Sequence, residues 1–311
     1  MSDLEHIAIE RLKAASEMSL QHYGLPLVVT DSGGKDSQVV KELAIRAGIP
    51  FEIMHNHTTA DAPETVRFVR SESKRFEELG IKYTINMPTY KGKRTSMWSL
   101  IPQKLMPPTR LVRYCCSVLK EQGGSGRFIS TGVRWDESAS RKNNRGIYER
   151  IAADRKKKVI LNNDNDDKRM LFENCRLKAK RVVNPIIDWK DEDVWDFLGE
   201  GQQVNCGAFN LTANGIPVNP LYDEGWCRVG CVGCPLAGKK GRVAEFIRWP
   251  KYKQLYINAF DKMLIERERK GKLEGSWRMG NAGRDVFNWW MEHDILPGQM
   301  NIDDFLEDDE S

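Results

Sequence analysis

Hydrophobic and polar positions along the chain change period repeatedly between the helical and the extended pattern. Near the N-terminus Leu4, Ile7, Ala8 and Leu12 fall on one helical stripe. Leu27–Thr30 is a short apolar run of the kind a buried strand makes, and Gln38–Ala47 returns to helical spacing after a polar turn. The same reading predicts strands at Pro50–Met54 and Lys82–Asn86 around a helix at Pro63–Leu79, then strands at Arg127–Thr131 and Arg181–Ile187. "DWKDEDVWDFL" opens a further helix, with Asp188 as the expected N-cap and Val194, Trp195 and Leu198 on one face. Strands alternating with helices predict an α/β fold, a mostly parallel sheet flanked by helices.

Two stretches depart from this alternation. The charge-rich segment Arg141–Arg169, with "RKNNR", "RKKKV" and "NNDNDDK", is expected to be an inserted loop. From Ala244 onward the pattern is helical, with Leu255, Tyr256, Phe260, Met263 and Leu264 as a stripe, and "IDDFLEDDES" forms an acidic tail expected to fray. We therefore expect two regions, an α/β domain over 1–243 and a helical region with an acidic tail over 244–311.

With 311 residues, 40% of them hydrophobic, the chain can bury a full core. A net charge of +4 permits a phosphate-bearing partner without demanding one. No stretch approaches the ~20 apolar residues that span a bilayer, and the first segment lacks the apolar core of a secretory signal. The seven cysteines are an odd number. Without an export signal they read as metal ligands or reactive thiols of a cytoplasmic protein, not as a disulfide framework.

The turn between the first strand and its helix reads "SGGKDS", Ser32–Ser37. Gly33 and Gly34 let backbone N–H groups approach a phosphate. Lys35 adds a point charge, Ser32 and Ser37 add hydroxyls, and the helix that follows aims its positive end at the ligand. Asp36 is suited to orient the lysine or to hold Mg²⁺. The spacing is neither the Walker nor the dinucleotide pattern. It resembles the PP-loop of the ATP pyrophosphatase superfamily, whose members cut ATP between the α and β phosphates.

The resemblance extends through "APETVRFV", "RYCCSVLKE", "TGVRWDESASR", "NPIIDWKDEDVW" and "NPLYDEGWCRVGCVGCP", in the order found in the phosphoadenosine phosphosulfate reductase family. It implies an adenine-nucleotide alpha-hydrolase-like sheet. It also implies Gly132 and Arg134 near the nucleotide, Lys35, Asp36 and Arg134 in the catalytic step, and Arg141 against an anionic group. Surface ion pairs remain the alternative for both arginines.

Cys115–Cys116 and Cys231-x-x-Cys234 resemble the thiolate pairs that hold a [4Fe–4S] cluster in cluster-bearing members of that family. Zinc is the rival occupant of four cysteines. Cys175 and Cys227 are further candidates, either able to replace Cys116, and Cys206 reads as a buried apolar residue. The reductases of the family attack sulfur with a C-terminal cysteine, usually in ECGxH, and carry a degenerate glycine turn. Here the turn is intact and no cysteine follows Cys234.

The chain thus most resembles the sulfur-inserting members, closest to the DNA-phosphorothioation (DndC/SspD-type) proteins. That implies ATP, Mg²⁺ and a [4Fe–4S] cluster as cofactors. A cysteine desulfurase would be the sulfur donor, DNA and other modification subunits the partners, with a homo-oligomer left open. The alternatives are a sulfonucleotide reductase using an external thiol, a tRNA-thiolating enzyme, and an ATP-sensing nucleic-acid-binding subunit. Arg141–Arg145, Lys156–Lys158 and Lys239–Arg242 are candidate backbone contacts, and Trp277, Trp289 and Trp290 candidate base platforms, with solvated charge and core packing as the bland readings.

Overall fold

A computed structural model describes residues 2–121, 123–124, 126–151, 158–161, 180–199, 204–206, 209–211, 214–272 and 282–292. The chain forms two compact units that are not consecutive in sequence. One takes residues 1–56, 63–86 and 122–229, the other residues 57–62, 87–121 and 230–311.

The first unit is built on a seven-stranded sheet. Its elements are α1 (Asp3–Tyr23), β1 (Leu27–Asp31), α2 (Lys35–Arg46), β2 (Phe51–Asn56), α3 (Pro63–Glu78) and β3 (Tyr83–Asn86). Within the same unit follow β6 (Phe128–Ser130), α5 (Ala139–Asn144), β7 (Tyr148–Ile151), β8 (Lys158–Leu161), β9 (Lys180–Val183) and α6 (Asp191–Leu198). Strand order is β3-β2-β1-β6-β9-β7-β8, parallel from β3 through β9 and antiparallel in the β7–β8 hairpin. The chain lays β2 and β3 on one side of β1 and then returns to build β6 and β9 on the other. β1 and β6 therefore flank the topological switch point, where an open α/β sheet binds ligands beyond its strand ends.

The core is formed by Leu27 and Val29 of β1, Val39, Val40 and Leu43 of α2, Ile53, Phe76, Phe128 and Trp189, all buried. On α1, Ala8 and Leu12 are fully covered, whereas Ile7 is exposed. Arg11, also buried, forms a bidentate pair with Asp188 and donates to the Pro185 carbonyl. That pairing corrects the expected cap. Asp188 is used by Arg11, and the N-cap of α6 is Lys190, whose N–H is taken by Asp193 Oδ2 at 2.7 Å.

Two other expectations are corrected. The strand expected at Arg181–Ile187 ends at Val183, because Asn184–Asp188 turns to deliver its side chains and carbonyls to α1 and β7. Arg141–Arg169 is not simply a loop: its described residues include the end of α5 and the β7–β8 hairpin, which closes one edge of the sheet. Buried Glu149 on β7 accepts from Arg145, the Gly146 amide and Asn184. Lys156 and Lys157 lie outside the described residues, as do Cys175, Trp277 and the acidic tail.

The second unit is largely helical. It contains the hairpin β4 (Thr89–Tyr90) and β5 (Lys93–Arg94), α4 (Met97–Lys104), a π-helical turn (Cys116–Lys120), α7 (Gly238–Arg248), α8 (Pro250–Arg269) and α9 (Gly283–Glu292). Of the predicted stripe on α8, Tyr256, Phe260 and Met263 are buried and Leu255 is exposed. They pack with Phe246, Phe287 and Trp290 in an aromatic core whose ring centroids lie 4.7–6.3 Å apart. Trp289 and Trp290 are therefore core residues, not base platforms. Arg242 is likewise buried, its guanidinium 4.0 Å from the Trp290 ring and donating to the Trp290 carbonyl. Of the run Lys239–Arg242, only Lys239 and Lys240 face solvent.

Gly283 starts α9 at the backbone of α8: a Cβ there would stand 2.3 Å from the Ile257 carbonyl oxygen and 2.7 Å from the Asp261 nitrogen. Backbone cannot yield as a flexible side chain would. Gly283→Ala is therefore expected to destabilise the helical unit by about 1–3 kcal/mol, read as a lower urea midpoint.

Candidate functional site

The glycine turn is organised from beneath by a residue that the sequence pattern passed over. Asp31, the last residue of β1, is buried, and its carboxylate takes four donors. Oδ1 accepts from the Gly33 N–H at 2.7 Å and the Ser37 hydroxyl at 3.0 Å; Oδ2 accepts from Lys41 Nζ at 2.6 Å and the Tyr83 hydroxyl at 2.6 Å. Burial alone would raise this carboxyl's pKa. The Lys41 ammonium, His55 and the hydrogen bonds outweigh it and hold the group far below the usual carboxylate range. Lys41 is completely buried and also meets Glu72 at 3.1 Å, and Glu72 is bound in turn by Gln38 and Arg75.

With the carboxylate as anchor, the turn has one available shape. Ser32 N–H reaches Ser37 Oγ at 3.2 Å, and Gly33 adopts a positive φ of 74°. A Cβ at Gly33 would meet Thr65 at 2.8 Å, so glycine serves both the backbone and the packing here. Helix α2 begins at Lys35, with Gly34 as its cap, earlier than the expected Gln38. Lys35 and Asp36 thereby join the first helical turn, whose N–H groups have no intrahelical acceptor. Lys35 N–H finds the Tyr222 hydroxyl at 3.0 Å. Among the described residues, the amides of Gly34, Asp36 and Ser37 make no protein hydrogen bond, which leaves an anion cradle.

The predicted residues Lys35, Asp36 and Arg134 meet in one network. Arg134, on the loop after β6, is buried, with Nε 2.6 Å from Asp36 Oδ1 and Nη2 2.7 Å from Asp191 Oδ1. Lys35 Nζ is 2.8 Å from that same Asp191 oxygen and 3.9 Å from Asp36 Oδ2. It also lies near the ring faces of Trp195 and Tyr222. Gly132, expected near the nucleotide, packs against the turn. A Cβ there would stand 2.7 Å from the Asp36 carbonyl carbon and 2.8 Å from its oxygen, so Gly132 lets the β6 loop press on the turn itself.

Arg141 pairs with Glu137, the surface reading, and its pKa is lowered by burial and by neighbouring Arg145 and Arg228. Asp31, Lys41, Asp191 and Tyr222 were missed from the sequence. The available signals were a charge closing an apolar strand and a lysine amid the apolar face "VVKEL".

In the second unit the four predicted cysteines converge. Cys115, Cys116, Cys231 and Cys234 line one small cavity with Thr58, Met97, Pro108, Leu119, Lys120, Pro235 and Tyr256. Cys231 is buried and pairs its backbone with Asp61 in an isolated bridge, and its thiol reaches Thr58 Oγ1 at 3.3 Å. Gly233, at φ 74°, turns the CxxC against Phe246 and Tyr256.

Burial pushes the Cys231 thiol up to about 11, against the opposing pull of Lys120. Cys116 is lowered to about 6 by the hydrogen bond from Cys115, with Lys120 and Arg113 assisting, while Cys115 is raised by the same bond and by burial. Lys120 is raised by Cys231, Asp61, Cys234 and Cys116. Among the described residues, no three His, Cys, Asp or Glu side chains are placed as ligands of a single ion. The thiol-only donor set, gathered from two distant segments on one cavity, fits a thiolate-ligated group. Cys227 is exposed, and the side chain of Cys206 lies outside the described residues.

The family model described as "phosphoadenosine phosphosulfate reductase domain" matches residues 26–237. An uncharacterised protein of Methanocaldococcus jannaschii is 30% identical over 259 residues, covering 79% of this chain and 50% of that one; a second from the same organism is 25% identical, with 44% of its length covered. The chain thus spans about half the length of these curated relatives. An adenosine 5'-phosphosulfate reductase of Lysinibacillus sphaericus is 22% identical over 226 residues, 70% of this chain and 76% of that one. Among solved structures, a phosphoadenylyl-sulfate reductase from Candida auris aligns over 74% of this chain and 96% of its own, with 15% identity and a TM-score of 0.40. The U34-tRNA thiolase NcsA from Methanococcus maripaludis with its [4Fe–4S] cluster aligns over 96% and 92%, with 13% identity and a TM-score of 0.34.

The buried network yields a signed prediction. Lys41→Met strands two carboxylates without their ammonium, an expected loss of about 3–5 kcal/mol at pH 7. Asp31 and Glu72 have lowered folded-state pKa values, so their contribution is present above the ordinary carboxylate range and lost as pH falls through the folded values. Urea unfolding should therefore show the wild-type advantage over Lys41→Met shrinking as pH falls below about 4, the ordinary carboxylate range. A constant gap would mean the lysine acts through packing alone.

Proposed function

The chain belongs to the phosphoadenosine phosphosulfate reductase domain family, and we propose that within it the protein is an ATP pyrophosphatase that activates an acceptor oxygen for replacement by sulfur. One observation carries this reading. Lys35 and Arg134 bring an ammonium and a guanidinium to hydrogen-bonding distance of a single oxygen atom at the N-terminal turn of α2. That arrangement suits the β and γ phosphates of a nucleoside triphosphate, which carry the charge that grows as pyrophosphate departs.

In the proposed reaction an acceptor oxygen attacks the α phosphorus. The α–β bridging bond breaks, and pyrophosphate leaves with the bonding pair into the field of Lys35, Arg134 and the α2 amides. A sulfur nucleophile at the sulfide level then attacks the activated centre and AMP leaves. Mg²⁺ bound to the phosphates would take one or two carboxylates, and Asp36 would be one of them. No side chain needs to become covalently attached to the nucleotide.

The thiols of Cys115, Cys116, Cys231 and Cys234 would hold a [4Fe–4S] cluster, and with Cys175 or Cys227 in the set instead of Cys116 the ligand count stays the same. Three thiolates would leave one iron able to bind sulfide. The favoured acceptor is a DNA backbone phosphate, with a cysteine desulfurase as sulfur source and other modification subunits as partners. Exposed Lys239 and Lys240 offer phosphate contacts. Among the described residues no helix is long and apolar enough to cross a membrane.

The likeness to adenosine 5'-phosphosulfate reductases over comparable length favours one second reading. In it the same cations would hold a sulfonucleotide, and an external thiol would release sulfite.

Product analysis separates the two. With ATP and acceptor DNA under anaerobic conditions, AMP and pyrophosphate should form, and Lys35→Ala should cut the rate at least a hundredfold. ADP and phosphate as products would refute the assignment, and sulfite from adenosine 5'-phosphosulfate without ATP would establish the second reading. For the thiols, anaerobic protein should show broad visible absorbance that Cys231→Ser bleaches; full iron retention in that variant would remove Cys231 from the ligand set.

A further inference from the structure

Asp191 stands in the site for a reason that holding a nucleotide does not explain. It is the first residue of α6, and one of its carboxylate oxygens bridges Lys35 Nζ at 2.8 Å and Arg134 Nη2 at 2.7 Å. An anionic oxygen shared by an ammonium and a guanidinium at a helix N-terminus is what a phosphate would place there.

The partners differ sharply in exposure. The side chains of Lys35 and Arg134 are 8% and 3% exposed, that of Asp191 53%. The cations are fixed from other directions as well. Arg134 is held by Asp36 and, at 3.4 Å, by the Trp189 carbonyl, and Lys35 by the Trp195 and Tyr222 rings. The carboxylate is held from below by these two cations and is otherwise half in water. A side-chain rotation would free it, and α6 need not move, because its cap is the separate Lys190–Asp193 bond.

Charge points the same way. Lys35 and Arg134 supply two positive charges, and Asp36, Asp191 and Asp136, whose Oδ2 lies 3.6 Å from Arg134 Nη1, supply three negative ones, so the assembled network offers an incoming anion no net attraction. Once Asp191 leaves, two cations face two carboxylates, and the subsite has lost one negative charge beside the open amides of Gly34, Asp36 and Ser37.

We propose that Asp191 is a built-in competitor for phosphate: in the free protein its carboxylate occupies the pyrophosphate subsite, and it must release Lys35 and Arg134 before a di- or triphosphate can enter. The proposal rests on the reading that the turn receives phosphates. It gives the protein an anion filter. A monovalent anion meets cations already paired with carboxylates, whereas a polyphosphate with several charges displaces the Asp191 carboxylate.

The test is calorimetric titration of the full chain with inorganic pyrophosphate, with Mg²⁺ removed by chelation and then with Mg²⁺ restored. Asp191→Asn and Asp191→Ala, each checked for an unchanged fold by circular dichroism, should both bind metal-free pyrophosphate at least fivefold more tightly than wild type. Lys35→Ala should abolish binding in either background. Unchanged or weaker metal-free binding in both variants would overturn the proposal. So would weakening confined to the Mg²⁺ arm, which would make Asp191 a ligand of the metal–phosphate complex. If wild type and both variants fail to bind pyrophosphate at all, the phosphate reading of the turn falls too, a result distinct from wild-type binding that the variants leave unaltered.

Discussion

A carboxylate without solvent access survives in a fold only when nearly every lone pair has a donor, since an unpaired buried charge costs several kcal/mol. Asp31 meets that demand with four donors drawn from the turn after β1, from α2 and from β3. Satisfying it fixes three things together: the Gly33 amide turns inward, the Ser37 hydroxyl closes the turn from the helix side, and α2 is rotated so that Lys41 faces the sheet. The glycines give the turn permission to adopt its shape, and the buried charge selects that shape.

The functional chemistry lies one layer above this anchor. Lys35 follows Gly34 by one residue and Asp36 by another, so a turn fixed from beneath gives the outward groups little freedom. Arg134 arrives from β6 across the switch point. It comes close because Gly132 carries no side chain where a Cβ would strike the Asp36 backbone. Local permission on one strand and a long-range approach from another thus make a single electrostatic unit, whose charge balance in the free protein includes an exposed aspartate from α6. Buried cations and an exposed anion are the combination expected of a site preorganised for a charge that comes and goes.

Much of this was legible in the sequence, and the misses share a cause. The apolar periodicity placed β1, β2, β3, β6 and the major helices, and "SGGKDS" placed the turn, because those signals are local. Asp31 and Lys41 were passed over because charged residues within an apolar pattern read as surface, and nothing local reports that two such residues neutralise each other inside. Asp188 looked like a cap for the same reason: its true partner, Arg11, lies 177 positions away. The segment after Arg141 read as loop because high charge masks strand character, yet β7 gains its place by pairing with β9, and its buried Glu149 is satisfied by Asn184 and Arg145.

The cysteines show how far spacing can carry an inference. Adjacent cysteines and a CxxC each announce a pair, but only the fold brings the pairs together, since the second unit is assembled from segments 57–62, 87–121 and 230–311. The short first segment supplies Thr58 and Asp61 beside Cys231, and the second supplies Lys120. A cavity of thiols facing one ammonium favours a group of net negative charge, since the lysine would then offset charge that four thiolates alone would concentrate. That preference follows from where Lys120 lies and not from the cysteine count, and it bears on zinc and iron–sulfur alike. Four thiolates on Zn²⁺ and four on a [4Fe–4S]²⁺ core both carry a formal charge of about −2. The ammonium therefore does not choose between them; what it stabilises is the deprotonated thiolate set that either would require.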